Sequence, residues 1–203
     1  YVNGGIVYSS DGKVFALYPA SLTSTDLTIP DTVEEIVSFV LYNNKKITGT
    51  LTIGSGVKVI GNGAFRSGKY SKIIIKETGS DKETGSDMTI GDWAFANITT
   101  QAITIPGRVK TINEKAFCST QLTKITLEEG VETLGVGAIS SNSKLADVSL
   151  PASIKNMGTY VSTDQGVSLG GVFDAVEANA ASGLKLTIAE GGNYFASQNN
   201  MLY

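Results

Sequence analysis

Residues 51–65 read LTIGSGVKVIGNGAF, and both halves of this stretch return at regular intervals along the chain. The first half is a short segment with apolar residues at alternate positions, and its last apolar residue falls at 29, 53, 75, 105, 127 and 150. The steps between these positions are 24, 22, 30, 22 and 23 residues. Such a period indicates a solenoid, in which each unit buries its apolar side against the next one.

The second half of the unit is an apolar-x-x-apolar segment, which occurs at 33–36, 57–60, 109–112, 131–134 and 154–157. A large apolar residue follows it in most units, namely Phe39, Phe65, Phe117 and Ile139, with Phe95 in the unit between Phe65 and Phe117. We expect the strands to pair in one continuous parallel sheet, with these large residues forming a buried spine on the opposite side. Trp93, which belongs to the same segment as Phe95, is predicted to pack in the core or on the convex side.

Both ends of the given sequence contain a hairpin-like pattern that differs from the repeat. Two apolar segments flank Asp11-Gly12, which is a strong signal for a β-hairpin. We therefore expect residues 1–24 to form a hairpin that caps the repeats of residues 25–190. Residues 199–203 resemble residues 4–8, so residues 191–203 are predicted to begin a second hairpin-like motif in a chain that continues further.

Two stretches interrupt the period. Residues 76–81 and 82–87 are the same hexapeptide, KETGSD, and we expect this polar insertion at 76–87 to be a solvated loop. Its carboxylates lack the spacing of a calcium-binding loop. The second interruption is an irregular excursion at 158–183, where Val172 and Phe173 are predicted to form a plug and the alanine-rich run at 175–181 a short helix.

The succession Val57-Lys58-Val59-Ile60-Gly61-Asn62-Gly63-Ala64-Phe65 resembles the BspA-like leucine-rich repeats of bacterial surface proteins. The resemblance extends over residues 27–188. It implies a leucine-rich-repeat solenoid that is mainly β, with parallel strands on the concave side and an irregular or short helical convex side. It also implies an exported bacterial protein, on the cell surface or secreted, with a role in adhesion.

The amino-acid composition argues against most kinds of catalytic and metal-binding chemistry. The chain has no histidine and a single cysteine, which removes the commonest general base and metal ligand and nearly all thiol chemistry. We therefore expect no enzymatic activity, no catalytic residues, no metal site and no cofactor. With 16 basic and 19 acidic residues and no basic cluster, nucleic acid is not an expected partner. No apolar segment is long enough to span a membrane.

The polar positions of the strands form two columns that should face outward on the concave side. They contain the candidate binding residues Thr28, Thr52, Lys72, Thr104, Lys124, Thr126, Ser149 and Lys185. One interpretation is a shallow, mildly basic surface that holds acidic groups of a protein or glycan. The other is a solvated scaffold face, because threonine suits a sheet through β propensity alone.

Three functions remain open at this point. The first is an adhesin-like module that binds host matrix proteins or bacterial surface macromolecules. The second is a structural spacer that presents other domains of a longer protein. The third is a carbohydrate-capture module, which the shortage of aromatic residues in the two columns disfavours.

Overall fold

A computed structural model of the chain describes residues 1–77, 87–158, 160–161, 169–173, 185–190, 197–198 and 201–202. Within these residues the regular structure is all β. The chain forms a parallel β-solenoid, and most turns contribute one strand to a front ladder and one strand of equal or shorter length to a back sheet. The loops from a back strand to the next front strand are called plug loops below, and they comprise residues 37–49, 61–71, 91–101, 113–123 and 135–146.

The front ladder stacks equivalent repeat positions in register. Its strands are β4 (Leu27–Ile29), β6 (Thr50–Ile53), β8 (Lys72–Ile75), β10 (Ala102–Ile105), β12 (Lys124–Leu127), β14 (Asp147–Leu150) and β18 (Lys185–Ile188). Leu51 lies beside Leu27 and Ile73, so core positions follow one another along the ladder. The residues between them alternate to the outer face, as the period of two requires.

The back sheet has nine strands, and its parallel part is formed by the second half of each unit. In spatial order the strands are β1 (Val2–Asn3), β2 (Ile6–Tyr8), β3 (Val14–Leu17), β5 (Glu35–Ile36), β7 (Val59–Ile60), β9 (Met88–Ile90), β11 (Val109–Ile112), β13 (Thr133–Leu134) and β15 (Asn156–Met157). The prediction of an irregular or short helical side is therefore wrong for these segments. Most of these segments contain β-branched residues, and they form short strands because each segment pairs with that of the next turn.

The spine is buried as predicted, with one correction. The rings of Phe65, Phe95 and Phe117 stack with centroids 5.1 Å apart at both steps. Ile139 is fully buried in the following turn. Phe39 is 57% exposed, however, and Leu41 fills the core position of the first turn at 2% exposure. Phe39 was misassigned because the core residue follows the back strand by five positions, not three.

Every plug loop contains two residues with positive φ. The first position is held by Phe39, Gly63, Trp93, Lys115 and Gly137, and the second by Asn43, Ser67, Asn97, Ser119 and Ser141. The loops also hydrogen-bond to one another along the solenoid: the N–H of Phe65 donates to the carbonyl of Ala94 at 2.9 Å, and that of Phe95 to Ala116 at 2.8 Å. The plug loops therefore form a continuous third wall.

The polar insertion lies between a front strand and a back strand. Residues 78–86 are outside the described residues, so the predicted solvated loop is described only at its ends. Ile90 in β9 pairs with Ile60 on one side and Ile112 on the other, so the back sheet passes the insertion unbroken. The front ladder does not: β4, β6 and β8 form one section, and β10, β12, β14 and β18 form another. This corrects the prediction of one continuous sheet.

A buried arginine joins the turns on the two sides of this break. Arg108 is 7% exposed. Its Nε donates to the carbonyl of Lys76 at 2.6 Å, and its two terminal nitrogens donate to Val57 at 2.7 Å and Gly54 at 3.1 Å. The side chain thus satisfies carbonyls of two earlier turns. At the other end of the break, the hydroxyl of Thr100 donates to the carbonyl of Tyr70 at 2.9 Å.

The first turn is extended by antiparallel strands. Tyr8 in β2 pairs with Phe15 in β3, and β3 continues in parallel to β5. Near the other end, β19 (Ser197–Gln198) pairs antiparallel with β20 (Met201–Leu202), in the same arrangement as β1 with β2. Within the excursion at 158–183, β16 (Tyr160–Val161) pairs with β17 (Leu169–Gly170), and Val172 is buried. The helix predicted at 175–181 lies outside the described residues.

Candidate interaction surfaces

The predicted binding residues all lie on the front ladder, in two groups. Thr28 and Thr52 are neighbours in register, and Lys72 stands beside Thr50 in the same section. The second section aligns the rest of the set, with Thr104, Thr126 and Ser149 in one row and Lys124 and Lys185 in the other. All eight side chains are exposed or half-buried. The break between β8 and β10 separates the two groups.

The lysine row of the second section is partly neutralised. Asp147 lies in register between Lys124 and Lys185, and its Oδ2 is 2.9 Å from Nζ of Lys124. The hydrogen bond from Lys124 lowers the pKa of the Asp147 carboxyl, with a smaller contribution from the charge of Lys185. An exposed pair of this kind adds little to stability. It does reduce the positive charge that this row offers to an acidic partner.

A groove of about 420 Å³ follows the break in the front ladder. Lys72 and Lys124 line it, and so do the carboxylates of Glu77 and Glu128. Burial raises the pKa of the Glu128 carboxyl, and the nearby Glu77 raises it further. Two cations and two carboxylates therefore share the groove, which makes it less basic than the strand sequences suggest.

Substitution Glu128→Gln is expected to raise the melting temperature at pH 7. Because the pKa of Glu128 is higher in the folded chain than its ordinary value of 4.5, ionisation costs more in the folded state. That penalty is absent below the ordinary pKa and develops as the pH rises through the folded value. The gain should therefore vanish near pH 3.5, as thermal unfolding at both pH values would show, with the exposed Glu35→Gln as the control. An equal gain at both pH values would contradict this explanation.

A second surface lies on the plug loops, where sequence reasoning placed no site. The guanidinium carbon of Arg66 lies 4.9 Å from the ring centre of Trp93 and 5.9 Å from that of Tyr42. Nζ of Lys115 lies 5.0 Å from the same Trp93 ring. Each residue belongs to a different turn, so Tyr42, Arg66, Trp93 and Lys115 form a row along the solenoid, called the aromatic–cation row below. Trp93 is half-buried within it.

Phe39 extends this row at the first turn. Its ring meets that of Tyr42 edge to face at 6.1 Å. It also covers Gly63, where a Cβ atom would lie only 2.5 Å from the Phe39 ring. Phe39 and Trp93 have φ values of 58°, at the position where two other loops have glycine. A left-handed conformation costs a residue with a side chain about 1–2 kcal/mol, so these two aromatic residues are held there at a measurable cost.

The described residues provide no cluster of three or more His, Cys, Asp or Glu side chains that could hold a metal ion. In the same part of the chain, no helix has the length and apolarity needed to cross a membrane. The described residues form two extended surfaces instead, the front ladder with its groove and the aromatic–cation row.

Stacked parallel strands, a repeat of 22 to 24 residues in most units and a buried phenylalanine spine define a leucine-rich-repeat solenoid. The family model for the BspA type leucine rich repeat region matches residues 15–86 and 82–165, with six copies. The chain therefore belongs to this family. Leucine-rich-repeat solenoids generally act as non-catalytic scaffolds for protein interaction, and the match indicates no enzyme family.

A solved structure of the pneumococcal vaccine antigen PcpA is similar in fold, with a TM-score of 0.59 and 20% sequence identity. The similarity covers 81% of this chain but 37% of the antigen chain, so the present chain spans well under half of that protein. A comparison with curated proteins found no significant match. At this level of identity, the likeness to PcpA supports the fold alone.

Proposed function

We propose that this chain is a non-catalytic, adhesin-like module of a bacterial surface or secreted protein, and that it binds host or bacterial macromolecules. The observation that carries the proposal is the front ladder of the BspA-type solenoid, which repeats the same outward positions in register along its two sections. Repeat solenoids use such extended surfaces for binding.

In this proposal the front ladder of residues 25–190 is the binding region. Residues 1–24 cap its first turn through the hairpin of β2 and β3, and residues 191–203 begin a second hairpin-like motif. Lys72, Lys124 and Lys185 hold acidic groups of the partner, and the rows with Thr28, Thr52, Thr104, Thr126 and Ser149 supply hydroxyl groups around them.

The test is binding of the chain to immobilised fibronectin, fibrinogen and mucin at about 50 and 500 mM salt, between which charge screening differs strongly. We expect saturable binding that weakens in high salt. The triple variant Lys72/Lys124/Lys185→Ala should bind about tenfold more weakly, since each exposed charge contributes a fraction of a kcal/mol. The matched control is Lys13/Lys58/Lys155→Ala, which removes three lysines paired with Glu34 and Glu132 at the back sheet.

A structural spacer is the second candidate. The ion pair of Lys124 with Asp147, and the carboxylates beside Lys72 and Lys124 in the groove, favour it because they leave the front ladder close to neutral. A spacer would show no saturable binding to any of the immobilised proteins, and the two triple variants would behave alike. Binding to a glycan array with no binding to protein would instead support carbohydrate capture.

A further inference from the structure

The aromatic–cation row has the composition of a binding hot spot. Phe39 and Tyr42 are 57% and 53% exposed, and Arg66 and Trp93 are half-buried beside them. Tyr, Trp and Arg are the residues that most often dominate binding energy at protein interfaces. The predicted binding positions on the front ladder contain none of these types. Of the two surfaces that the described residues present, the plug loops therefore carry the residue types that most often act as anchors.

The charge that this row offers to a partner comes from Arg66. Lys115 is paired with Glu114, at 2.8 Å between Nζ and Oε1. The guanidinium of Arg66 has no ion pair and no hydrogen bond within the described residues, and its Nε is buried without an acceptor. A guanidinium held between two rings is oriented in advance, so an incoming carboxylate could form paired hydrogen bonds without first ordering the side chain.

The surroundings of Trp93 favour a peptide over a sugar. Arg66 comes from the plug loop before that of Trp93, and Lys115 comes from the loop after it. The indole ring therefore has a cation from each neighbouring turn within 5.0 Å of its centre, which leaves less of the ring free for stacking by a sugar. Phe39 and Tyr42 instead provide an exposed apolar contact one turn away from Arg66. That arrangement suits a carboxylate next to an apolar side chain.

We propose that the aromatic–cation row, together with Phe39, docks an extended acidic segment of a partner protein. One carboxylate of the segment accepts hydrogen bonds from Arg66, and a neighbouring apolar side chain packs against Phe39 and Tyr42. The proposal shares with the proposed function only the premise that this chain binds proteins. It places the contact on different residues, so the two can fail separately.

Trp93 is the only tryptophan of the chain, and its fluorescence reports on this surface directly. The probe is a blocked hexapeptide of alternating glutamate and leucine, titrated into the whole chain at about 50 mM salt, where charge interactions are weakly screened. We expect a saturable change in Trp93 fluorescence. The matched peptide of glutamine and leucine should give none, because it has no carboxylate. A sulfated oligosaccharide is titrated as a third probe.

Variants distinguish peptide binding by the aromatic–cation row from binding by surface charge elsewhere on the chain. Arg66→Gln should weaken binding of the acidic peptide about tenfold, since it removes a charge-assisted hydrogen bond. Phe39→Gly should weaken it as well, while removing a bulky residue from a backbone conformation that glycine adopts easily. The control Lys58→Gln removes a cation from the back sheet, and it should bind like the parent, as should Lys72/Lys124/Lys185→Ala. Circular dichroism melts confirm that each variant is folded.

Three results would overturn the proposal. They are no saturable signal with the acidic peptide, an equal signal with the neutral peptide, or full binding by folded Arg66→Gln. Saturation by the sulfated oligosaccharide alone is a case of the first result, and it would favour an anionic glycan. If matrix binding depends on the three front-ladder lysines while the peptide does not bind, the proposed function stands and this inference fails.

Discussion

Replacement of Arg108 by methionine is expected to lower the free energy of unfolding by about 3–5 kcal/mol. Methionine keeps much of the aliphatic stem but removes all three donors, so the carbonyls of Val57 and Lys76 lose their hydrogen bond. The carbonyl of Gly54 keeps the one from the N–H of Val57 at 3.3 Å. A buried polar group without a hydrogen bond costs about 1–3 kcal/mol. Arg108 is 7% exposed, so water can replace the lost bonds only in part.

Urea unfolding followed by circular dichroism measures this loss. Arg108→Lys should be intermediate, because a single ammonium group cannot reach three carbonyls that the planar guanidinium spans together. Lys58→Met is the matched control: it removes an exposed cation 2.7 Å from Glu34, and it should cost less than about 1 kcal/mol. A loss as small as this for Arg108→Met would show that the carbonyls find other partners, and that Arg108 does not hold the two sections together.

The parts of the fold that repeat most strictly were predictable. The strands around Leu51 and Ile125 were found from spacing alone, because each apolar position recurs beside its equivalent in the next turn. The back sheet was missed because its parallel strands have only two to four residues. Segments as short as Val59–Ile60 have no periodicity of their own to reveal a strand.

Features that depend on contacts between turns were not predictable from one unit. Arg108 reaches carbonyls 51 and 54 residues earlier in the chain, and no local pattern marks it. Asn142 is fully buried. Its Nδ2 donates to the carbonyls of Phe117 and Ile139, and its Oδ1 accepts from the N–H and hydroxyl of Thr120. A single asparagine in a loop sequence does not predict buried hydrogen bonds between turns, because asparagine is common in loops for local reasons.

The candidate sites were likewise predictable only in part. The front-ladder residues were predicted from their outward positions, and the structure places them outward. The ion pair of Asp147 with Lys124 and the place of Glu128 in the groove, which moderate the charge, were not predicted. The aromatic–cation row could have been suspected from one signal. When the plug loops are aligned, Phe39 and Trp93 occupy a position that is glycine in two other turns, and bulky residues with positive φ are rare.

Replacement of Phe95 by alanine is expected to cost about 3–5 kcal/mol, the usual range for a buried phenylalanine. Phe95 is fully buried, and its ring is stacked at 5.1 Å on both sides. The loss should be at the upper end of the range, because the cavity opens in the middle of the spine and Phe65 and Phe117 each lose a ring contact. Phe39→Ala, which truncates an exposed ring, should cost less than about 1 kcal/mol.

Phe95 should also determine how cooperatively the chain unfolds. It belongs to the turn at which the front ladder is divided, so the two sections are joined there by the back sheet, the plug loops and the spine. A repeat protein unfolds as one unit only while the interfaces between neighbouring repeats are strong. Phe95→Ala weakens that interface from the spine side, so urea unfolding should show a lower m-value or two separate transitions. A single transition with the parent m-value would mean that the back sheet and Arg108 are sufficient to couple the two sections.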